Sequence, residues 1–257
     1  MSINNCKEVI ICANTFWNIY NFRLKLISDL KILGYRVIAV AGKDGYESKV
    51  KNLVDDIYTL KISNKGINPI QDIITILQLV RVLKRVNADF VLLYTIKPVI
   101  YGSMVSIFFK SSFVATITGL GSAFLEQSWV TRLVSFMYKF GLKNVSKVVF
   151  QNKHDKEFFI NNGLITEEKS EVINGSGIDL NKFQFAPLNN KNEFKFVLIA
   201  RLIKDKGILE FAEAAKQVKK DNPMTKFFLI GPSSVNDRGA IKLETINKWN
   251  KDGYIEY

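Results

Sequence analysis

The apolar positions of this chain switch repeatedly between two spacings, and each switch marks an element. Short unbroken apolar runs at residues 8–13 (EVIICA), 35–41 (YRVIAVA), 56–60, 88–94 (ADFVLLY), 112–117 (SFVATI), 147–151 and 171–173 read as strands buried on both faces. Between them, apolar residues return every three or four positions, the helical spacing. These stretches predict helices at 20–33, 46–54, 69–86, after Thr95-Ile96-Lys97-Pro98, at 129–147, and from the segment NKHDKEFF to Asn162. In the first of them Leu24, Ile27 and Leu30 are expected to face inward, with Gly34 at its end. The polar-aromatic stretch 14–18 (NTFWN) is expected to be a loop. Strand and helix alternating in this way predict an α/β fold with a doubly wound parallel sheet over residues 1–183.

A second, smaller α/β unit follows. Residues 184–193, containing QFAPLNNKN, read as an interdomain linker. From 194 the chain gives a strand at 194–200 (FKFVLIA), with Lys195 its only charge and therefore expected to be buried. Arg201, Lys204 and Lys206 come next, and Gly207 opens a helix that buries Ile208, Phe211, Ala212, Ala215 and Val218. A strand at 225–230 ends at Gly231-Pro232, a helix covers 240–249, and the closing residues GYIEY begin one more strand.

Candidate chemistry sits where strands hand over to helices. The N-terminus of a helix carries unsatisfied N–H groups and a partial positive charge, so it attracts phosphate. Arg201 and Lys206 beside such a terminus suit a diphosphate leaving group, or else are solvated loop charges. In a parallel sheet, ligands bind beyond the carboxyl ends of the strands. That marks Asn14, Thr15 and Trp17, and Thr118, Gly119 and Gly121, as cleft contacts, with plain turns as the alternative. The segment Asn174-Gly175-Ser176-Gly177, with Asp179 just after it, lets the backbone turn sharply.

Composition narrows the class. The chain has 257 residues, 47% hydrophobic and 23% charged, as folded domains do. A net charge of +12, spread along the chain, points to anionic partners. No nucleic-acid recognition motif accompanies it, and no G-x-G-x-x-G follows the first strand, which disfavours a dinucleotide oxidoreductase. The two cysteines, Cys6 and Cys12, have no metal-ligand spacing and read as buried or half-buried thiols of a reducing compartment. His154, the lone histidine, is expected on the surface. Met1 to Lys7 is polar and no run is long enough to span a bilayer, so a cytoplasmic chain is expected. In helix 129–147, Arg132, Lys139 and Lys143 form a basic stripe beside Trp129, Leu133, Phe136, Met137 and Phe140. This is either a face resting on an anionic leaflet or an outer helix with a solvated basic side.

Two motifs carry a resemblance. Arg201-x4-Lys206-Gly207 after an apolar strand resembles the donor-phosphate motif of retaining glycosyltransferases of family 4, which have the GT-B fold. Residues 172–183 (VINGSGIDLNKF), which include Asn174, Gly175, Gly177 and Asp179, resemble that family's linker signature. The segments NTFWNIYNFRLKLI, TIKPVIYGSM and TITGLGSAF are similar to bacterial surface-polysaccharide enzymes. The resemblance implies metal-independent transfer of a hexose or N-acetylhexosamine from a nucleotide-diphosphate sugar, UDP-linked, to an undecaprenyl-diphosphate-linked saccharide. It implies no cofactor. Arg201 and Lys206 would stabilise the departing diphosphate, and the loops of the first domain would face the acceptor.

The chain also departs from the family pattern. The histidine that many members carry near Thr118 is absent, and no E-x7-E pair lies beyond Asn190. Catalytic residues therefore go unassigned. The expectation is a second domain cut short, with exposed apolar surface and little turnover by itself. Two other readings stand beside the transferase: a GT-B-like nucleotide-sugar epimerase, for which no convincing carboxylate set is visible, and a non-catalytic remnant that binds acceptor or membrane.

Overall fold

The computed structural model describes residues 7–63, 68–120, 129–187, 194–233 and 239–257. The chain divides into two compact units, Met1–Phe183 and Gln184–Tyr257.

In the first unit, strands β1 (Glu8–Thr15), β2 (Arg36–Gly42), β3 (Asp56–Leu60), β4 (Phe90–Tyr94), β5 (Ser112–Ile117), β6 (Lys147–Phe150) and β7 (Ser170–Val172) form one sheet. Its order is β3-β2-β1-β4-β5-β6-β7, and every pair is parallel. The direction of strand addition reverses between β1 and β4. The helices are α1 (Phe16–Phe22), α2 (Leu24–Ile32), α3 (Glu47–Lys51), α4 (Pro69–Val86), α5 (Ile96–Val105), α6 (Trp129–Leu142) and α7 (Lys153–Asn161). Side chains alternate across the pleat. Ile10 and Cys12 of β1 therefore join a core with Leu79 and Leu83 of α4, Val99 of α5 and Phe159 of α7. Ile11 and Ala13 join Phe16, Ile19, Ile27 and Val50 of α1–α3 on the other face. Cys12 is buried as expected, and desolvation pushes its thiol pKa up to about 12, so it is inert at neutral pH; Cys6 lies outside the described residues.

Several elements begin where their caps put them. Asn68 accepts a hydrogen bond from the Gln71 amide (3.2 Å), and Pro69 occupies the first turn of α4. Gly34 takes positive φ after α2. Lys97 of α5 pairs with Asp72 of α4 at 2.8 Å, bracing the two helices.

Three expectations are corrected here. The stretch 14–18 is no loop: β1 runs on through Thr15, whose hydroxyl accepts from the Asn18 amide (3.2 Å) and starts α1 at Phe16. Residues 20–33 do not form one helix either. Arg23 (φ −127°, ψ 5°) leaves helical geometry and re-phases the chain, so Ile27 is buried while Leu24 is exposed. The helix at 129–147 stops at Leu142, because the Asn144 amide turns back to the Gly141 carbonyl and the Ser146 amide bonds Phe113 ahead of β6.

The second unit comprises β8 (Lys195–Ile199), α8 (Ile208–Asp221), β9 (Lys226–Ile230) and α9 (Leu243–Lys251). The strands are parallel, and Glu256 bridges to Phe228 on the far side of β9, as expected of a further strand. Its core gathers Leu202, Ile208, Ala212, Ala215, Phe227, Leu229, Ile246 and Ile255. Contrary to expectation, β8 is exposed: it has one strand neighbour among the described residues, and Phe196, Val197 and Ile199 are about half or more accessible. Helix α9 begins at Leu243 rather than 240, because the Ile241 amide is already bonded to Leu202 and the Gly239 carbonyl to Lys204.

A Cβ on Gly231 would fall 1.8 Å from the carbonyl oxygen of Ala200, which is backbone and cannot swing away. Gly231→Ala is therefore expected to destabilise the second unit by about 1–3 kcal/mol or more in urea unfolding. A loss below about 0.5 kcal/mol, the range of an ordinary surface change, would contradict that packing.

Candidate functional site

The place where strand order reverses is where an open parallel sheet presents a crevice. Here it lies between the carboxyl ends of β1 and β4. The Asn14 amide donates to Thr95 Oγ1 (2.9 Å), and that hydroxyl in turn donates to the Tyr94 carbonyl, stitching the two strand ends together. Thr95 has φ 67° and ψ 158°. That region is essentially reserved for glycine, and a β-branched residue there stores about 1–3 kcal/mol of strain. Such strain persists only where the surroundings hold it.

The strand end and the helix after it carry buried polar atoms that lack partners. Among the described residues, the side-chain oxygens of Asn14 and Asn18 and the Nε of Arg23 are buried and make no hydrogen bond. Arg23, 6% exposed, stacks over the Tyr94 ring with its guanidinium carbon 3.9 Å from the centroid. Its Nη1 donates to the Phe22 carbonyl and to Ser176 Oγ, both at 3.0 Å. No carboxylate among the described residues pairs with it. Burial draws its pKa below the ordinary arginine value, against a smaller opposing interaction with Tyr94. Burial likewise raises the Tyr94 phenol, offset by the Arg23 charge and a hydrogen bond with Thr116. A buried, unpaired charge costs several kcal/mol, more than the about 2 kcal/mol that a desolvated cation–π contact supplies.

The expected cleft residues fall around this crevice in different ways. Asn14 and Thr15 end β1 at its edge. Trp17 lies on α1, its amide held by Asp44 Oδ2 (2.7 Å) and its half-exposed ring edge-on to Phe22 at 5.6 Å. Thr118 and Gly119 line a shallow surface groove with Thr95, Thr116 and Tyr138. Gly121 lies outside the described residues. Further on, Gly175 and Gly177 take positive φ (71° and 73°) and present Ser176 to Arg23 and to Gln151 Nε2 (2.9 Å). Asp179 caps the Asn181 amide (2.9 Å), and Asn174 is exposed. His154 is exposed on α7, as expected.

Arg23 is not among the residues expected in the cleft, although a signal existed. Ile19, Arg23 and Ile27 are spaced by four, which sets a cation on the inward stripe of a helical pattern.

In the second unit, Leu202 and Ile203 are buried while Arg201, Lys204 and Lys206 are exposed. A 3-10 turn over Lys204–Lys206 leads to Gly207, whose left-handed conformation (φ 71°, ψ 23°) delivers the chain into α8. The basic turn thus ends at the N-terminus of a helix that runs to Asp221. Asp205 within the turn and Glu210 in the first turn of α8 are acidic side chains beside these cations.

Helix α6 turns Trp129, Leu133, Phe136 and Phe140 to solvent, Trp129 and Phe136 at 69% and 67% exposure. Arg132 and Lys139 lie alongside, Lys143 follows one residue past the helix end, and Met137 packs inward. Ile70, Ile73 and Leu77 of α4 are exposed as well. Among the described residues no helix is long and apolar enough to cross a membrane, and no His, Cys, Asp and Glu cluster is arranged to hold a metal.

Comparison with known proteins fits this architecture. HepE from Anabaena, solved with UDP and glucose, shares the fold with a TM-score of 0.69 at 17% identity, over 96% of this chain and 68% of that one. The fold class is therefore α/β, of the GT-B type. Residues 9–152 match the family model described as glycosyl transferase 4-like, and the chain belongs to that family. Over 249 residues, 90% of this chain, it is 30% identical to the N,N'-diacetylbacillosaminyl-diphospho-undecaprenol alpha-1,3-N-acetylgalactosaminyltransferase of Campylobacter jejuni. Over 185 residues, 65% of this chain, it is 28% identical to the UDP-Gal:alpha-D-GlcNAc-diphosphoundecaprenol alpha-1,3-galactosyltransferase of Escherichia coli. The chain spans 64% of the length of the first relative and 46% of the second.

The strain at Thr95 can be read directly. Thr95→Ala removes the hydroxyl and keeps the strained backbone, whereas Thr95→Gly removes the hydroxyl and relieves it. Thr95→Gly is expected to be the more stable of the two by about 1 kcal/mol or more in thermal or urea unfolding; equal stabilities would mean that Thr95 holds no strain.

Proposed function

We propose that this protein moves a hexose or N-acetylhexosamine from a nucleotide-diphosphate sugar, UDP-linked, to a saccharide carried on undecaprenyl diphosphate, retaining the anomeric configuration, in bacterial surface-polysaccharide assembly. The observation that carries the reading is the pairing of two features in one chain. The first unit has a polar crevice at its strand reversal, and the second has a basic turn running into the N-terminus of α8. Membership of the glycosyl transferase 4-like family supports it. So do the names of both relatives, which specify an alpha-1,3 linkage and a diphospho-undecaprenol acceptor.

In this reading the acceptor hydroxyl oxygen bonds to the anomeric carbon as the bond from that carbon to the diphosphate breaks. The electron pair leaves with the diphosphate, and the hydroxyl proton passes to a departing phosphate oxygen. Arg201, Lys206 and the α8 amides after Gly207 receive the charge that builds on the leaving group. Asn14, Thr15, Trp17, Thr118 and Gly119 face the acceptor. Asn174, Gly175, Gly177 and Asp179 shape the turn between the two units' sequences.

The same reading rests α6 on the membrane that carries the acceptor. Its exposed apolar stripe would enter the headgroup layer, and each nearby cation adds about 1 kcal/mol on an anionic surface. Both α4 and α6 cover the sheet face whose core holds Leu79, Leu83, Tyr138 and Leu142, and both carry exposed apolar residues.

Arg201→Ala or Lys206→Ala is expected to lower transfer of labelled sugar from a UDP-sugar to a polyprenyl-diphosphate saccharide by ~10²-fold or more. An unchanged rate removes that side chain from the reaction. For the membrane, Phe136→Asp with Phe140→Asp is expected to abolish co-flotation with vesicles containing phosphatidylglycerol. Arg132→Glu with Lys139→Glu is expected to weaken it at least tenfold, in line with ~1 kcal/mol per cation. Flotation equal to the unaltered chain would return α6 to the role of an outer helix with a solvated face.

A further inference from the structure

We propose that Arg23, with Asn14 and Asn18 beside it, is an oxyanion-binding site of the first unit that takes the diphosphate of the lipid-linked acceptor. The inference deepens the acceptor assignment made above and rests on it. It starts from a guanidinium that the fold has buried and left half used. One nitrogen, Nη1, is committed to the Phe22 carbonyl and to Ser176, and the ring of Tyr94 covers one face. The edge carrying Nε has no partner among the described residues. A guanidinium edge of two parallel donors matches two oxygens of a phosphate.

The chemistry beside it is complementary. The unpartnered oxygens of Asn14 and Asn18 accept hydrogen bonds and cannot satisfy one another. A ligand that brings hydroxyl donors and an anionic oxygen together would answer all three groups, and a sugar diphosphate is such a ligand. The position agrees, because this is the strand reversal where an open parallel sheet receives its ligand. Structure around Arg23 keeps it there: the break between α1 and α2 falls on this residue, and Ser176 is itself fixed by Gln151.

The donor is also a diphosphate, so the test must separate the two sources. The full chain carrying Arg201→Ala and Lys206→Ala, which silences the proposed donor turn, is titrated with inorganic pyrophosphate by calorimetry. Binding is expected, and adding Arg23→Gln should weaken it at least tenfold. Ser176→Ala removes one of the two bonds of Nη1, together with the Gln151 bond, and leaves the Phe22 carbonyl and the Nε edge in place; it should weaken binding clearly less than Arg23→Gln does. Absence of pyrophosphate binding, or equal losses in Arg23→Gln and Ser176→Ala, would overturn the site in favour of a purely structural role. Should Arg23→Gln fail to fold, Arg23→Lys keeps the charge without the fork and should bind at least threefold more weakly; unchanged affinity overturns the site. Farnesyl diphosphate is expected to displace pyrophosphate and UDP is not; the reverse would overturn the acceptor as its source. With Arg201 and Lys206 intact, Arg23→Gln should raise the acceptor KM and leave the donor KM alone. If the unaltered chain transfers no sugar while pyrophosphate binding still needs Arg23, the anion site stands and the transferase reading falls. If transfer proceeds with neither pyrophosphate affinity nor acceptor KM responding to Arg23→Gln, the site falls alone.

Discussion

The parallel pairing of β1 with β4 is the constraint on which the first unit depends. Strands are added to one side of β1 and then, after a long return through α4, to the other. That reversal leaves adjacent strand ends whose following helices depart to opposite faces of the sheet, and a crevice opens between them. The chain closes the bottom of this crevice with the Asn14–Thr95 hydrogen bond and a threonine held in glycine's conformation. Everything polar in the first unit's candidate site is arranged around that stitch. Thr15 starts α1 beside it, Arg23 folds back onto Tyr94, and Ser176 reaches Arg23 from the turn that follows β7.

Much of the framework was legible because its punctuation is local. Asn68-Pro69 marks the start of α4 by a side-chain cap and a preset φ, and Gly34 marks the end of α2 by needing positive φ. The apolar runs of β3 and β5 coincide with the observed strands because their flanking residues are polar or turn-forming. Of the candidate site, the placement of Asn14 and Thr15 at the end of β1 was legible, because the apolar run of β1 gives way to polar residues there.

What stayed hidden depends on tertiary context. The break at Arg23 interrupts a helical pattern that runs through it without a proline or glycine to announce the change. The residue at the break is held by the Tyr94 ring, more than seventy places along the sequence, and by Ser176, further still. The exposure of β8 was equally invisible, because a strand's own apolar content says nothing about how many neighbours cover it. The α9 boundary was misread for a related reason: the backbone before Leu243 is spent on a bridge to Leu202 and Lys204 that no local pattern encodes. At α6 the pattern of apolar and basic residues was plain, and the structure adds that the apolar stripe faces outward.

The central claim is that the second unit holds the donor's diphosphate at the turn leading into α8. The most direct measurement is a crystal structure of this protein with UDP bound. The account predicts the β-phosphate against the amides of Ile208 and Leu209, with Arg201 and Lys206 in contact with its oxygens. UDP bound with its phosphates away from both side chains would contradict it.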